Sequence, residues 1–214
     1  MPEGGKSRRM GLKILHSADW HLDSAFGGFS DQQRQFLKRE QKKLPGKITD
    51  LCLREDCDMM LLAGDLFDGE PSRETVEIVK KELARCGVPV LIAPGNHDFY
   101  PGIENVFKAC RKAGIIVLDN ESMEFECLNI FGLRFSFDDR DIPKIDESLV
   151  KEGFVNIINY HVPYYWEEFS SMGFDIQLSG HTHGGQFYPA VNFANIIFKY
   201  NIGLFKDTLG HYLH

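Results

Sequence analysis

The sequence predicts an α/β fold, and three observations carry that prediction. Short apolar runs of strand length alternate with longer stretches of helical periodicity, which implies a sheet with helices laid against it. One later stretch, 121–137, breaks the alternation and reads as consecutive strands, as at an antiparallel edge. Each cluster of Asp, Asn and His residues falls just after a predicted strand, where side chains of an open α/β sheet converge on one rim.

In chain order, the apolar run 13–17 is the first predicted strand. Helical periodicity follows over 32–55, interrupted at Pro45-Gly46 because proline removes a helical donor. The run 58–63 is the second strand, 73–86 a helix, 88–93 a strand, 103–113 a helix and 115–118 a strand. Segments 123–127 and 128–135 are the consecutive pair, and 154–160 and 175–179 are two further strands. There is no internal repeat and no low-complexity tract.

At 214 residues the chain is one ordinary domain with enough apolar content for a full core. Residues 1–11 read as a disordered leader or expression remnant, and 12–214 as the domain. The longest apolar runs, such as 59–63, are too short to cross a bilayer. Arg8-Arg9 precede only the brief apolar stretch 12–15, so a first core strand fits better than an export signal, and the cytoplasm is expected. Five cysteines, without a C-x-x-C pair and outside the Asp/His clusters, read as reduced thiols and argue against a structural zinc site. A formal charge of −7 argues against a surface that grips nucleic acid throughout, although it says nothing against a phosphate substrate.

Five short motifs hold the chemistry: Asp19-Trp20-His21, Gly64-Asp65-Leu66-Phe67-Asp68, Gly95-Asn96-His97-Asp98, Tyr160-His161 and Gly180-His181-Thr182-His183. Alone, each is weak. Together they supply Asp19, His21, Asp65, Asn96, His161, His181 and His183, a mixed oxygen and nitrogen set large enough for two divalent ions. Residues two apart on an extended segment point to one side, so Asp19 with His21, and His181 with His183, are expected to face inward together. His97 has a plainer reading as a turn residue after Pro94; His16 reads as structural, and His211 and His214 have no partner motif.

The order and spacing of these motifs, from Ile14 to Tyr212, resemble the calcineurin-like metallophosphoesterases. That resemblance implies a four-layer α-β-β-α sandwich of two facing mixed sheets flanked by helices, with metals at one end. One ion would be held by Asp19, His21, Asp65 and His183, the other by Asp65, Asn96, His161 and His181, with Asp65 bridging. Manganese is the expected metal, with iron, zinc, nickel or cobalt as alternatives. In the family a metal-bridging hydroxide attacks phosphorus. His97 would stabilise the transition state or protonate the leaving oxygen, Asp98 would orient its ring, and Asp68 would support the loop or a ligating histidine.

The resemblance has two parts. His16 to Asp23, Gly64 to Asp68 and Gly95 to Asp98 look like the repair-exonuclease branch; Ala113-Gly114-Ile115 to Asp119-Asn120-Glu121 and Gly180 to Gln186 look like small bacterial phosphodiesterases. The chain thus reads as a mosaic, natural or engineered. Repair exonucleases add a DNA-binding cap, for which this sequence has no segment, and its last strand, around Tyr212-Leu213, is expected to be short. The expected function is a binuclear phosphohydrolase acting on phosphodiesters. The alternatives are a repair-type nuclease and a non-catalytic metal-binding interaction module, whose members typically lose the histidine that stands here as His97.

Three features could select a substrate. Aromatics flank the motifs at Phe99-Tyr100 and Tyr164-Tyr165-Trp166, suited to stacking on a base or aryl group or to sealing a helix start. Arg34, Lys38 and Lys42, with Arg39, Lys43 and Lys47 nearby, make a basic helix face, which the diluting Asp31, Glu40 and Asp50 favour as solvated surface. An apolar stretch, 187–189 and 191–198, reads as core-packed rather than as a lip for lipid.

Overall fold

The structure, a computed structural model, describes residues 11–137, 145, 147–184 and 197–214. The expected leader, apart from Gly11, and the apolar stretch apart from residues 197 and 198 lie outside them. Strands β1 (Ile14–Ser17), β2 (Met59–Leu62), β3 (Val90–Ile92) and β4 (Ile116–Val117) form one sheet in sequence order, every pair parallel. Helices α1 (Asp31–Gln41), α2 (Leu44–Glu55), α3 (Arg73–Cys86) and α4 (Ile103–Lys112) lie between these strands in the chain. Helical crossovers return each strand in the same direction, so this sheet is wholly parallel and not mixed as expected.

The second sheet holds β5 (Glu121–Phe125), β6 (Leu128–Gly132), β7 (Val155–Asn159), β8 (Ile176–Leu178), β9 (Phe205–Lys206) and β10 (Tyr212–Leu213). Its order is β5-β6-β7-β8-β10-β9, parallel except for the β5–β6 and β9–β10 pairs. The β5–β6 hairpin is the predicted antiparallel edge. Helix α5 (Trp166–Met172) joins β7 to β8.

Period-two alternation explains why there are four layers. In β2, Met60 and Leu62 pack with Val79, Leu83, Phe107 and Cys110 of the helices, whereas Met59 and Leu61 join a separate core with Leu128, Ile130 and Ile157 of the other sheet. In β7, Ile157 takes the inter-sheet side while Ile158 packs with Phe169 of α5 and Phe174. Helix, sheet, sheet and helix therefore stack around three apolar layers, and each fully buried aliphatic side chain contributes about 1.5–3 kcal/mol. Helices α1 and α2 separate at Lys42-Lys43, not at Pro45-Gly46: Pro45 sits in the first turn of α2, where its missing N–H costs nothing. Among the described residues no helix is long and apolar enough to cross a membrane.

Candidate metal centre

The C-terminal ends of β1, β2, β3, β7 and β8 lead into one rim, and all seven sequence-predicted ligands stand on it. Buried Trp20 and Leu22 pin the first loop into the helix-side core, leaving Asp19 and His21, which alternate with them, to face the rim. The loops are laced together: Asp19 N–H donates to Gly64 O at 3.1 Å, His21 N–H to Asp65 O at 3.0 Å, and Gly180 N–H to His161 O at 2.8 Å. Asn159 Nδ2, donating to Leu62 O at 2.9 Å, ties the second sheet to the first beside the site.

The predicted ligands gather in two clusters. In the first, His21 Nε2 lies 3.0 Å from His183 Nε2, and Asp19 Oδ1 lies 3.7 Å from His183 Nε2 and 4.0 Å from His21 Nε2. In the second, His161 Nε2 lies 3.0 Å from Asp65 Oδ2 and 3.1 Å from Asn96 Oδ1, while His181 Nδ1 lies 3.0 Å from Asn96 Oδ1. Asp65 Oδ2 is also 4.0 Å from His21 Nε2, between the clusters.

The donor set fits divalent cations. His161 Nδ1 donates to Ala63 O at 2.6 Å, so in the neutral form of the ring the Nε2 lone pair is aimed at a carboxylate, an amide oxygen and a second imidazole nitrogen. Acceptors thus converge on acceptors. Asp65 Oδ2 is buried and accepts no hydrogen bond, an expensive arrangement that a cation resolves. Burial, with His161 beside it, pushes the His181 imidazole down to about 4, and burial likewise lowers His21, so both rings are neutral. Against burial, the adjacent His161 ring and the His97 N–H hold Asp65 below the usual carboxylate range. Burial alone would lower His161 as well, but the Asp65 carboxylate outweighs it and raises the ring, so a proton and a cation compete for Nε2.

Alternation along an extended chain does not bring the ligands together. Asp19, His21, Asp65, His181 and His183 adopt left-handed backbone, with φ of 56°, 47°, 53°, 71° and 51°. Each loop therefore coils tightly at its ligand, a conformation that costs a side-chain-bearing residue about 1 kcal/mol or more. Gly95 permits the closest approach: a Cβ there would stand 2.2 Å from Asp65 Oδ1.

His97 lies beside both clusters. Its N–H donates to Asp65 Oδ1 at 2.8 Å, and its ring meets His21 edge-on at 4.6 Å. The ring's partner is a correction to the sequence reading. Nδ1 pairs with Asp68 Oδ1, and Asp68 is held in turn by the Ser24 hydroxyl at 2.7 Å. Asp98 is fully buried and accepts four backbone N–H groups: Asp65 and Gly95 at 2.9 Å, Leu66 and Phe67 at 3.1 Å. Saturated by main chain, its carboxylate cannot reach the imidazole. Burial pushes Asp98 up to about 6 despite those donors, while Ser24 and His97 hold Asp68 low against its own desolvation.

Of the flagged aromatics, Trp166 is core, whereas Tyr100 packs edge-on to His97 at 4.9 Å. Sequence reading missed Phe135 and Phe137, which join Phe99 and Tyr100 beside the site. They follow β6 without a chemical motif, so only the fold reveals them. His16 and His214, their Nδ1 atoms 2.8 Å apart, pair with each other and line one cavity with Asp19 and His183.

Fold and donor set together define an α/β sandwich with a candidate metal centre at its strand ends. The chain belongs to the calcineurin-like phosphoesterase family, whose model matches residues 12–185. A metallophosphoesterase of Helicobacter pylori is 29% identical over 208 residues, covering 92% of this chain and 51% of that protein. One from Aquifex aeolicus is 26% identical over 215 residues, covering 94% and 75%. A subunit of the SbcCD nuclease of Rhodobacter capsulatus is 30% identical over 113 residues, 50% of this chain and 26% of that one. The chain thus spans about half the length of the first curated relatives it matches. The crystal structure of TT1561 from Thermus thermophilus shares the fold, with a TM-score of 0.58 at 10% identity over 95% of this chain and 88% of that one.

Proposed function

We propose that this chain is a two-metal phosphodiesterase. The observation that carries the reading is the orphaned Asp65 Oδ2 between two clusters of imidazole and carboxylate ligands. Asp19, His21, Asp65 and His183 would hold one ion, and Asp65, Asn96, His161 and His181 the other, manganese being the expected metal. Such ions supply Lewis acidity toward phosphoryl oxygens and lower the pKa of water. Among the protein's own groups, His97 is the proton donor to the leaving oxygen. Asp68 accepts from Nδ1 and balances the charge of the doubly protonated ring, which leaves the Nε2–H to be given to the leaving oxygen. Asp98 acts through the main chain, gathering the 65–67 and 95 amides so that Asp65 and His97 keep their places. The 12–214 segment acts as one catalytic domain, and the five free thiols suit a reducing compartment such as the cytoplasm.

The similarity to a nuclease subunit supports a second reading, cleavage of DNA. The basic helix face supports it poorly: Arg34 pairs with Asp31, Lys42 with Glu74 at 2.7 Å and Lys43 with Glu40 at 2.6 Å. The third, a non-catalytic module, leaves the retained His97–Asp68 pair without a task.

The test is hydrolysis of bis-p-nitrophenyl phosphate against p-nitrophenyl phosphate by chelator-stripped protein, with and without manganese. Faster cleavage of the diester is expected on adding metal, with His97→Ala slower by about 10²–10⁴-fold while still loading metal. Failure to bind metal would overturn the reading. Metal binding without turnover would favour the interaction module, and cleavage confined to DNA the nuclease.

A further inference from the structure

Four aromatic rings from two separate loops form a continuous surface that starts at the proposed catalytic residues. Phe135, after β6, lies 6.3 Å from the His161 ring, and its other side meets Phe137 at 4.8 Å, edge-on. Phe99, from the turn that follows His97, braces both at 6.3 and 5.9 Å. Tyr100 continues the surface: its ring is 4.9 Å from His97 and 6.4 Å from Phe137, the latter pair inclined by 33°. Phe99 and Phe135 are half-buried, whereas Tyr100 and Phe137 are 61% and 67% exposed.

Exposing two large rings side by side forgoes the stabilisation their burial would give. Here the exposed pair is backed by half-buried rings and abuts the histidine that faces the leaving oxygen. Its place matters. A ring-bearing leaving group on that oxygen would extend over Tyr100, and aromatic faces bind any planar π-system without reading its edge.

We propose that Tyr100 and Phe137 are specificity-determining residues, a stacking platform for a planar ring in the leaving group, so that the substrates are phosphoesters bearing an aryl group or a nucleobase. The proposal rests on the phosphoesterase reading for its orientation, but binding alone can test it. Manganese-loaded protein is titrated calorimetrically with methyl phosphate, phenyl phosphate and adenosine 5′-monophosphate. At least one ring-bearing ester is expected to bind about tenfold tighter than methyl phosphate, the scale of one stacking contact. Preference for phenyl phosphate alone identifies an aryl group, and preference for the nucleotide alone a base. Tyr100→Leu and Phe137→Leu should each reduce that preference, and together remove it. Tyr100→Phe, which keeps the ring but loses the hydroxyl 3.5 Å from Asn96 Nδ2, should retain it. Equal affinity for all three esters, no binding of any, or a preference that survives the double leucine variant would overturn the platform. A ring preference in protein that cleaves no diester would keep the platform and discard the catalytic reading.

Discussion

Asp65 answers two neighbours with two oxygens. Oδ1 is spent on the His97 N–H at 2.8 Å, and Oδ2 is left for the metal clusters. Asp68 and Asp98 divide the surrounding labour, and substitution should separate their roles. Asp68→Asn should lower turnover by about 10–100-fold with metal still bound, since its nearest partners are the His97 ring and the Ser24 hydroxyl. Asp98→Asn sets an NH2 group against two of its four N–H neighbours, so it should cost about 2–3 kcal/mol of stability, read by urea denaturation of metal-stripped protein. The residue types of the site were legible in the motifs because metal ligation restricts chemistry to few side chains. Which aspartate meets His97 was not legible, because residues 68 and 98 are equally plausible by type and only three-dimensional reach distinguishes them.

Elements set the spacing of the site through their ends. Strand positions were legible wherever an apolar run was continuous, as at β2, with all four residues buried. Boundaries were less so. β6 stops at Gly132, although its apolar sequence runs on to Phe135, because the chain there leaves the ladder: Leu133 N–H still reaches Asn159 O at 3.0 Å, but Arg134 N–H turns to the Asn120 side chain at 2.9 Å. Gly132 also marks where β6 passes the end of the first sheet: a Cβ would lie 2.3 Å from Leu118 Cβ and 2.6 Å from Leu118 O. Gly132→Ala should therefore destabilise the protein by about 1–3 kcal/mol, since backbone must shift to admit the methyl group. A denaturation midpoint equal to that of the parent would show that the sheets can separate locally at no cost.

Across the whole molecule the ligands divide between the sheets. Asp19, His21, Asp65 and Asn96 come from the first, and His161, His181 and His183 from the second. Cations bound among them would act as clamps across the sandwich, and stability should follow ion concentration by mass action. Manganese at about a hundredfold over its Kd should add about 2.7 kcal/mol per site, which raises Tm by about 5–10 °C for a chain of this size. Scanning calorimetry with metal and with chelator measures it, and coincident transitions would refute the clamp. Alternation of strands and helices was enough to predict an α/β protein, but not a second sheet facing the first. That layer was legible only through the family resemblance, because a strand buried on both faces carries no polar side to show what covers it.

The left-handed backbone at five of the seven ligands has a further consequence. Folding by itself would prefer glycine or asparagine at those five positions, so the pressure to fold and the pressure to hold ions pull on the same residues in opposite directions. A screen that rewards only heat resistance, run in chelator, would steadily erase this rim, and its survivors would be sturdier proteins with nothing left to do.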